Sequence, residues 1–269
     1  MIAEKFIRVG ALRARYLESG EGEPVLFLHG ASLGSSADVW VPNLPAFAAQ
    51  GFCAIAPDLP GFGLTDNPGE HTIAYRRHFV MDFMDTLGLQ HASVIGHSQS
   101  GRIAVELAFL LPGHVSKVVV LGTGSLLPPL PGGKSREEGE EGEAAEPTIE
   151  KTRKSLEANL FDRSLVTPEA LAVRHRMSLG KNFQAFLARG KATREEKDAQ
   201  PLWERLGELP CPLLLLYGRE DRGRAAERAE LARQRFPALD LQLLDRCKHL
   251  LQWDAAERFA AIAGRFLAG

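Results

Sequence analysis

The stretch that decides the fold is Gly96-His97-Ser98-Gln99-Ser100-Gly101, a serine set among small residues. The apolar run Ser93–Ile95 before it predicts a buried strand, and the pattern after Ser98 predicts a helix. A serine on such a sharp strand-to-helix turn has a strained backbone, which small neighbours accommodate. Glycine is usual two residues after the serine, whereas Ser100 stands there and Gly101 follows it. The stretch therefore predicts a nucleophilic serine at the end of a sheet strand.

Around this turn, short apolar runs alternate with longer helical patterns, which predicts βαβ units in an α/β fold. We expect a mostly parallel sheet with helices on both faces, preceded by an antiparallel hairpin. The predicted strands are Phe6–Val9, Leu12–Glu18, Val25–Leu28, Cys53–Ala56, Ser93–Ile95, Val115–Leu121, Leu213–Tyr217 and Leu239–Leu244. The predicted helices are Val41–Gln50, Thr72–Leu87, one that begins directly after Ser98, Ala225–Phe236 and one from about Asp254 to Leu267.

One long segment carries no strand pattern. It contains a glutamate-rich run at 137–146, predicted to be a solvated loop, and a helical pattern at 148–190. We therefore predict that residues 126–200 form an inserted helical cap between two parts of the core, 1–125 and 201–269. Open α/β sheets bind ligands at the carboxyl edge of their strands, so such a cap would cover the active site.

Two further residues complete the predicted site, in the chain order serine, acid, histidine. The predicted strand Leu213–Tyr217 is followed by Glu220 and Asp221. We predict that Asp221 is the acid, with Glu220 as the alternative. His249 lies in the loop after the last predicted strand and is the candidate base. It would remove the Ser98 proton while the acid holds the imidazole in the correct tautomer.

The negative oxygen that forms when a serine attacks a carbonyl group requires hydrogen-bond donors placed in advance. One predicted donor is the backbone N–H of Gln99, at a helix N-terminus where the dipole also favours negative charge. The other is the backbone N–H of Ala31, which follows His29-Gly30 at the end of a predicted strand. The set predicts hydrolysis of a small carbonyl compound.

The composition argues against other classes of partner. The net charge is −2, so no overall field favours nucleic acid. No apolar run approaches the roughly 20 residues that span a bilayer, and the first residues lack the layout of a secretory signal. Three cysteines without a CxxC spacing favour a reduced protein with neither disulfides nor a metal site. We expect a cytoplasmic protein that binds no membrane, no metal and no other cofactor.

The site residues, in this order, resemble the α/β-hydrolase superfamily over essentially the whole chain. Within it, the chain resembles the meta-cleavage product hydrolases, which cleave carbon–carbon bonds in vinylogous 1,5-diketones formed by aromatic ring opening. The similar segments are Gly61-Phe62-Gly63, Leu216–Arg222 and Cys247-Lys248-His249, followed by Gln252-Trp253 and Phe259. The resemblance implies the α/β-hydrolase fold, a ring-cleavage product as substrate, no cofactor and a homodimer as one possible assembly.

The predicted cap adds a substrate-binding candidate. Leu160–Leu171, followed by Arg174, looks like the lid of that family, in which an arginine at this position binds the substrate carboxylate. A guanidinium fork matches the two oxygens of a carboxylate; the alternative is an arginine on a helix surface. The chain departs from the family at His97, Gln99 and Leu250, where asparagine, methionine and tryptophan are usual. The resemblance implies that His97 and Leu250 contact the substrate.

Three other activities stay open at this point. The serine set could hydrolyse a carboxylic ester or a lactone. Gly96-His97-Ser98-x-Ser100 also looks like the turn of hydrolase-fold hormone receptors, which use the pocket to sense a ligand. A histidine before the nucleophile position is found as well in cofactor-independent dioxygenases of this fold. A serine nucleophile argues against dehalogenases and epoxide hydrolases, which need aspartate there.

Overall fold

The computed structural model describes residues 1–131, 145–195 and 201–269. Its strands are β1 (Ala3–Val9), β2 (Leu12–Ser19), β3 (Glu23–Leu28), β4 (Phe52–Pro57), β5 (Ala92–His97), β6 (Val115–Leu121), β7 (Leu213–Gly218) and β8 (Asp240–Leu244). They form one eight-stranded sheet in the order β1-β2-β4-β3-β5-β6-β7-β8. The β1–β2 and β2–β4 pairs are antiparallel and all other neighbours are parallel. The predicted fold class is confirmed.

Nine α-helices lie within the described ranges. They are α1 (Leu44–Ala48), α2 (Ile73–Thr86), α3 (Gln99–Leu110), α4 (Ile149–Ala158), α5 (Pro168–Arg176), α6 (Lys181–Glu195), α7 (Ala225–Arg235), α8 (Leu251–Asp254) and α9 (Ala256–Ala268). In these same ranges, no helix combines the length and the apolar character needed to cross a membrane.

The sheet is buried on both faces. In β3, Val25 and Phe27 belong to one core, and Leu26 and Leu28 belong to the other. Successive strand side chains point to opposite faces, so a strand covered on both sides reads as a continuous apolar run. Helices α2, α3 and α7 cover the Leu26 face, and α1 and α9 cover the Val25 face. This layering leaves the carboxyl ends of the parallel strands as the edge on which a site can form.

The first predicted helix is much shorter than expected. Instead of one helix over Val41–Gln50, the chain forms a 3₁₀ turn at Ala37–Trp40 and then α1. The buried carboxylate of Asp58 accepts a hydrogen bond of 2.6 Å from the Ala37 backbone N–H and so fixes the start of the turn. A long-range contact of this kind has no local signal in the sequence.

Helices α4, α5 and α6 follow β6 and are bound to the core loops. The Asn159 carbonyl, just after α4, accepts a 2.9 Å bond from the Leu250 backbone N–H. At the start of α6, the Asn182 amide donates to the Gly63 carbonyl at 3.0 Å. The predicted acidic loop lies outside the described residues except at 145 and 146. The division at 126 and 200 into core and cap stays a prediction.

Candidate active site

Ser98 lies between β5 and α3 with φ 56° and ψ −126°. Positive φ is strained for a residue other than glycine and persists only where the surroundings impose it. Here the Ser98 N–H donates to the Leu121 carbonyl at 2.8 Å, and its carbonyl accepts from the Thr123 hydroxyl at 2.6 Å. The Tyr217 hydroxyl in turn donates to the Thr123 carbonyl at 2.9 Å. Contacts from β6, β7 and the loop after β6 therefore hold the strained turn.

The residue two positions after the serine connects this turn to β3. The Ser100 hydroxyl donates to the His29 carbonyl at 2.5 Å. The His29 ring is fully buried; its Nδ1 donates to the Gly30 carbonyl and its Nε2 accepts from the Leu59 N–H. Burial lowers the pKa of His29 to about 3, so the ring is neutral. His29 thus shapes the loop after β3 and carries no proton to the reaction.

The three predicted catalytic side chains form one hydrogen-bonded chain. His249 Nε2 lies 3.0 Å from the Ser98 hydroxyl oxygen, and His249 Nδ1 lies 3.0 Å from a carboxylate oxygen of Asp221. Because a carboxylate only accepts, Nδ1 carries the proton and Nε2 is free to accept the serine proton. The side chains of Asp221 and His249 are only 4% and 11% exposed. Shielding from water strengthens the electrostatic support that the acid gives to the imidazole.

The alternative acid, Glu220, has a different partner. Its carboxylate accepts a 2.9 Å hydrogen bond from the Cys247 backbone N–H, two residues before His249. The second oxygen of Asp221 accepts from the Arg222 backbone N–H at 2.7 Å. The structure therefore pairs Asp221 with the imidazole and leaves Glu220 to position the loop that carries it.

The two predicted oxyanion donors both flank the serine. A methyl group added to Gly30 would lie 3.1 Å from Ser98 Cβ, so the loop that carries Ala31 passes directly beside the nucleophile. Gln99 begins α3. Within the described ranges, neither the Ala31 nor the Gln99 backbone N–H donates to another residue. Both donors are therefore available to a substrate oxygen, and their role in the reaction stays a prediction.

His97 is almost completely buried beside the base. Its Nε2 donates to the His249 carbonyl at 2.9 Å, and the two rings are 4.9 Å apart between centroids. Burial, followed by the neighbouring His249 ring, lowers the pKa of His97 well below its usual value. The structure thus shows His97 positioning the catalytic loop. Contact with the substrate, which the sequence predicted, would have to use Nδ1 on the Gly30 side of the ring.

Arg174 extends from α5 over the loop after β3. Its two terminal nitrogens donate to the Ser35 and Ser32 hydroxyls at 3.2 and 2.7 Å. Gly34 allows this approach, since it has φ +78° and an added Cβ would lie 2.5 Å from the Arg174 carbonyl. Burial lowers the pKa of Arg174 to about 10, and no carboxylate of the described residues pairs with it. The structure thus places a partly buried cation beside the predicted oxyanion loop.

Leu250, the remaining predicted substrate contact, is only 6% exposed. It belongs to the same core as Leu156 and Leu160 from the α4 region. Its backbone contact with Asn159 ties the base-bearing loop to that region. The structure thus gives Leu250 a packing role, and its substrate contact stays a prediction.

The sequence interpretation missed a second group of polar residues beside the serine. Arg76 of α2 donates to the Gln99 side-chain carbonyl at 2.8 Å. Arg189 of α6 donates to the Gly61 carbonyl at 2.7 Å and stacks on the Phe62 ring. The one available signal was Gln99 itself, where the resembled family has methionine.

Comparison with known proteins finds hydrolases of ring-cleavage products. A hydrolase of 2-hydroxy-6-oxononadienedioate and 2-hydroxy-6-oxononatrienedioate from Burkholderia vietnamiensis is 31% identical, over 95% of this chain and 91% of that protein. The 2-hydroxy-6-oxo-6-phenylhexa-2,4-dienoate hydrolase of Burkholderia cepacia is also 31% identical, over 93% of this chain and 90% of its own. A solved meta-cleavage product hydrolase from Pseudomonas fluorescens IP01 is 26% identical, with TM-score 0.80 and coverage of 98% and 97%.

The family comparison covers the parallel part of the sheet, from within β3 to β8, and the three predicted catalytic residues. The alpha/beta hydrolase family matches residues 25–262, a range that includes Ser98, Asp221 and His249. The chain therefore belongs to the alpha/beta hydrolase family, and its relatives are meta-cleavage product hydrolases.

Proposed function

We propose that this protein hydrolyses the carbon–carbon bond of a 2-hydroxy-6-oxo-dienoate, with Ser98 as the nucleophile. The observation that carries the proposal is the pairing of a complete serine–histidine–aspartate chain with the Arg174 cation at the neighbouring loop. An esterase that acts on neutral esters needs the serine–histidine–aspartate chain but needs no cation such as Arg174. A substrate with a carboxylate at one end and a ketone further along needs both.

The conjugation of the substrate explains how a carbon atom can act as the leaving group. Transfer of the 2-hydroxyl proton to C5 produces a ketone at C2 that is conjugated with the chain up to C4. His249 then takes the Ser98 proton while the serine oxygen bonds to C6, and the negative charge on the C6 oxygen is met by backbone N–H groups. The C5–C6 bond breaks, and its electron pair passes into the C2 ketone.

The reaction ends with two products. The C2 oxygen of the released fragment takes up the proton that His249 received from Ser98, which gives a 2-hydroxydienoate and a neutral imidazole. The acyl group remains on Ser98 until water, deprotonated by His249, releases it as a carboxylic acid. The conjugated ketone is itself the electron acceptor, so every step is possible without a bound cofactor.

Arg174 would hold the C1 carboxylate at the dienoate end. Its guanidinium already holds two serine hydroxyls, which fix its direction before substrate binds. Exchange of neutral hydroxyl partners for a carboxylate gives charge-assisted hydrogen bonds, which are the stronger kind. The cap helices around this end would exclude water from the reacting atoms.

The proposal is tested by turnover of a panel of 2-hydroxy-6-oxo-dienoates, followed by loss of their visible absorbance. Wild-type protein should convert at least one member to a 2-hydroxydienoate and an acid, and Ser98→Ala should not. A protein that hydrolyses 4-nitrophenyl esters but no dienoate would instead be a carboxylesterase. Consumption of dioxygen with the same panel would indicate a dioxygenase, and either result would overturn the proposal.

A further inference from the structure

The side chain of Gln99 is held in one orientation beside the nucleophile. Ser98 and Gln99 are both partly exposed, whereas His97 and Ser100 on either side are buried. Arg76 donates to the Gln99 amide oxygen at 2.8 Å. This contact leaves the amide NH₂ as the group that Gln99 can offer, and no described residue accepts from it. Gln99 therefore presents donors beside the reacting serine.

Two buried arginines, Arg76 and Arg189, lie in this part of the site and are 2% and 5% exposed. Arg76 also donates to the His71 carbonyl at 2.9 Å, and burial, followed by Arg189 and Arg76, lowers the pKa of His71. Burial and then Arg76 lower the pKa of Arg189 to about 9, so it is still protonated at neutral pH. A methyl group on Gly61 would lie 3.4 Å from both the Arg189 Nη1 and the His71 Nδ1. That His71 nitrogen is buried with no hydrogen-bond partner among the described residues.

This positive group is separate from Arg174. The pKa of His29, beneath the oxyanion loop, is lowered by burial and then by Arg174, Arg189 and Arg76. Arg174 donates to the Ser32 and Ser35 hydroxyls of the loop after β3, whereas Arg76 and Arg189 donate to the Gln99 side chain and to the Gly61 carbonyl. The two positive groups are thus held by different elements around the nucleophile. A molecule that spans the serine can reach one group with each end.

We propose that Gln99, oriented by Arg76 and joined by Arg189, forms a second anion-binding subsite, which selects substrates that carry a carboxylate on the acyl side of the cleaved bond. This inference rests on the proposed function, in which Arg174 holds the other end. The subsite distinguishes the substrates of two relatives. An oxononadienedioate has an acidic group beyond the ketone, and a 6-phenyl dienoate has an apolar group there. An amide donor and a buried cation favour the acidic group over a phenyl ring.

A pair of chromogenic esters tests the subsite without any dienoate. The acyl group of 4-nitrophenyl hemiglutarate ends in a carboxylate, and that of 4-nitrophenyl pentanoate is uncharged and of similar length. With the Ser98→Ala rate subtracted as a blank, wild-type kcat/KM should be about tenfold higher for the hemiglutarate, as expected for one charged hydrogen bond. Gln99→Met, which keeps the side-chain length and removes the donors, should bring this ratio near unity.

The matched control is Gln184→Met, which removes the same amide from an exposed position on α6 and should leave the ratio at the wild-type value. Because the readout is a ratio, a general loss of activity in Gln99→Met does not mask the result. Equal ratios in wild type and Gln99→Met would overturn the subsite, as would a wild-type preference for the pentanoate.

A binding measurement covers the case of slow ester turnover. In a Ser98→Ala, Arg174→Gln double variant, calorimetry should show tighter binding of glutarate than of pentanoate, and further substitution of Gln99→Met should abolish the difference. No difference in the double variant would refute the subsite. Failure of the dienoate panel affects only the proposed function, since neither the ester ratio nor this binding comparison uses a dienoate.

Discussion

Arg174→Gln isolates the contribution of the cation from that of the reacting groups. The glutamine can still reach toward the Ser32 and Ser35 hydroxyls, so the loop keeps polar contacts while it loses the charge. In wild type, a bound carboxylate would exchange two bonds from the guanidinium to neutral hydroxyls, at 2.7 and 3.2 Å, for two bonds within an ion pair. A bond between a charged and a neutral group contributes about 1.5 kcal/mol and one within an ion pair about 2.5, so the net loss is about 2 kcal/mol. That corresponds to roughly a 30-fold weaker affinity.

The assay compares two substrates across three proteins. For a dienoate carboxylate, KM should rise about 30-fold in Arg174→Gln with a smaller change in kcat, since the contact exists in both ground and transition states. For a neutral 4-nitrophenyl ester, KM should change little. Arg176→Gln is the matched control, because Arg176 lies on the same helix and is exposed. Since the pKa of Arg174 is about 10, the effect should be constant from pH 6 to 9.

Three outcomes would refute this reasoning. An equal rise in KM for the neutral ester would show that the substitution disturbs the oxyanion loop and removes no carboxylate contact. An unchanged KM for the dienoate would show that the carboxylate is bound elsewhere. A 30-fold rise in KM in both Arg174→Gln and Arg176→Gln would show that the general positive field of the cap, and no direct contact with Arg174, binds the carboxylate.

Two further predictions use the geometry of the site and of its support. Asp221→Asn should lower kcat by about 10⁴, because the asparagine amide favours the wrong imidazole tautomer. Glu220→Gln keeps an acceptor for the Cys247 backbone N–H and should lower kcat less than tenfold. Equal losses of kcat in the two variants, measured by steady-state kinetics, would contradict the assignment of Asp221 as the acid. Arg15→Met should reduce the free energy of unfolding by about 3 kcal/mol or more at pH 8, because it leaves the Asp58 carboxylate buried without its cation. Burial raises the pKa of Asp58 above 3.8 even beside Arg15. In the folded variant, Asp58 therefore takes up a proton as the pH falls through this raised pKa, and the buried charge is removed. The loss of unfolding free energy relative to wild type, measured by urea titration, should then shrink toward pH 4. A loss of unfolding free energy that grows as the pH falls would contradict this prediction.

The parts of the site that could be predicted from sequence are those set by local pattern. The serine turn, the acid after β7 and the histidine after β8 each follow an apolar run, and chain order relates them. Contacts across the fold have no such signal. The Ser32 and Ser35 partners of Arg174 lie about 140 positions away in the chain, and nothing in either segment indicates the other.

The same limit applies to the orientation of a side chain. The sequence placed His97 at the site but could not tell which ring nitrogen faces the loop. That depends on the His249 carbonyl, 152 residues further along. For Gln99, the sequence predicts only that the backbone N–H is functional, because the orientation of the side chain depends on Arg76 of another helix. A substitution of methionine by glutamine next to the nucleophile was nevertheless a visible sign that the pocket is polar there.

The serine at the second position after the nucleophile shows why such a departure need not weaken the chemistry. A Cβ at Gly96 would lie 2.4 Å from the Ser100 carbonyl, and one at Gly101 would lie 2.0 Å from the Thr123 hydroxyl oxygen. The close approaches of this turn therefore fall on positions 96 and 101, and position 100 has room for a side chain. The Ser100 hydroxyl uses that room to bind the His29 carbonyl, which joins the turn to the loop of the predicted oxyanion donor. The departure thus adds a contact between the nucleophile turn and the loop that carries the predicted oxyanion donor, and this favours retention of full acyl-transfer activity.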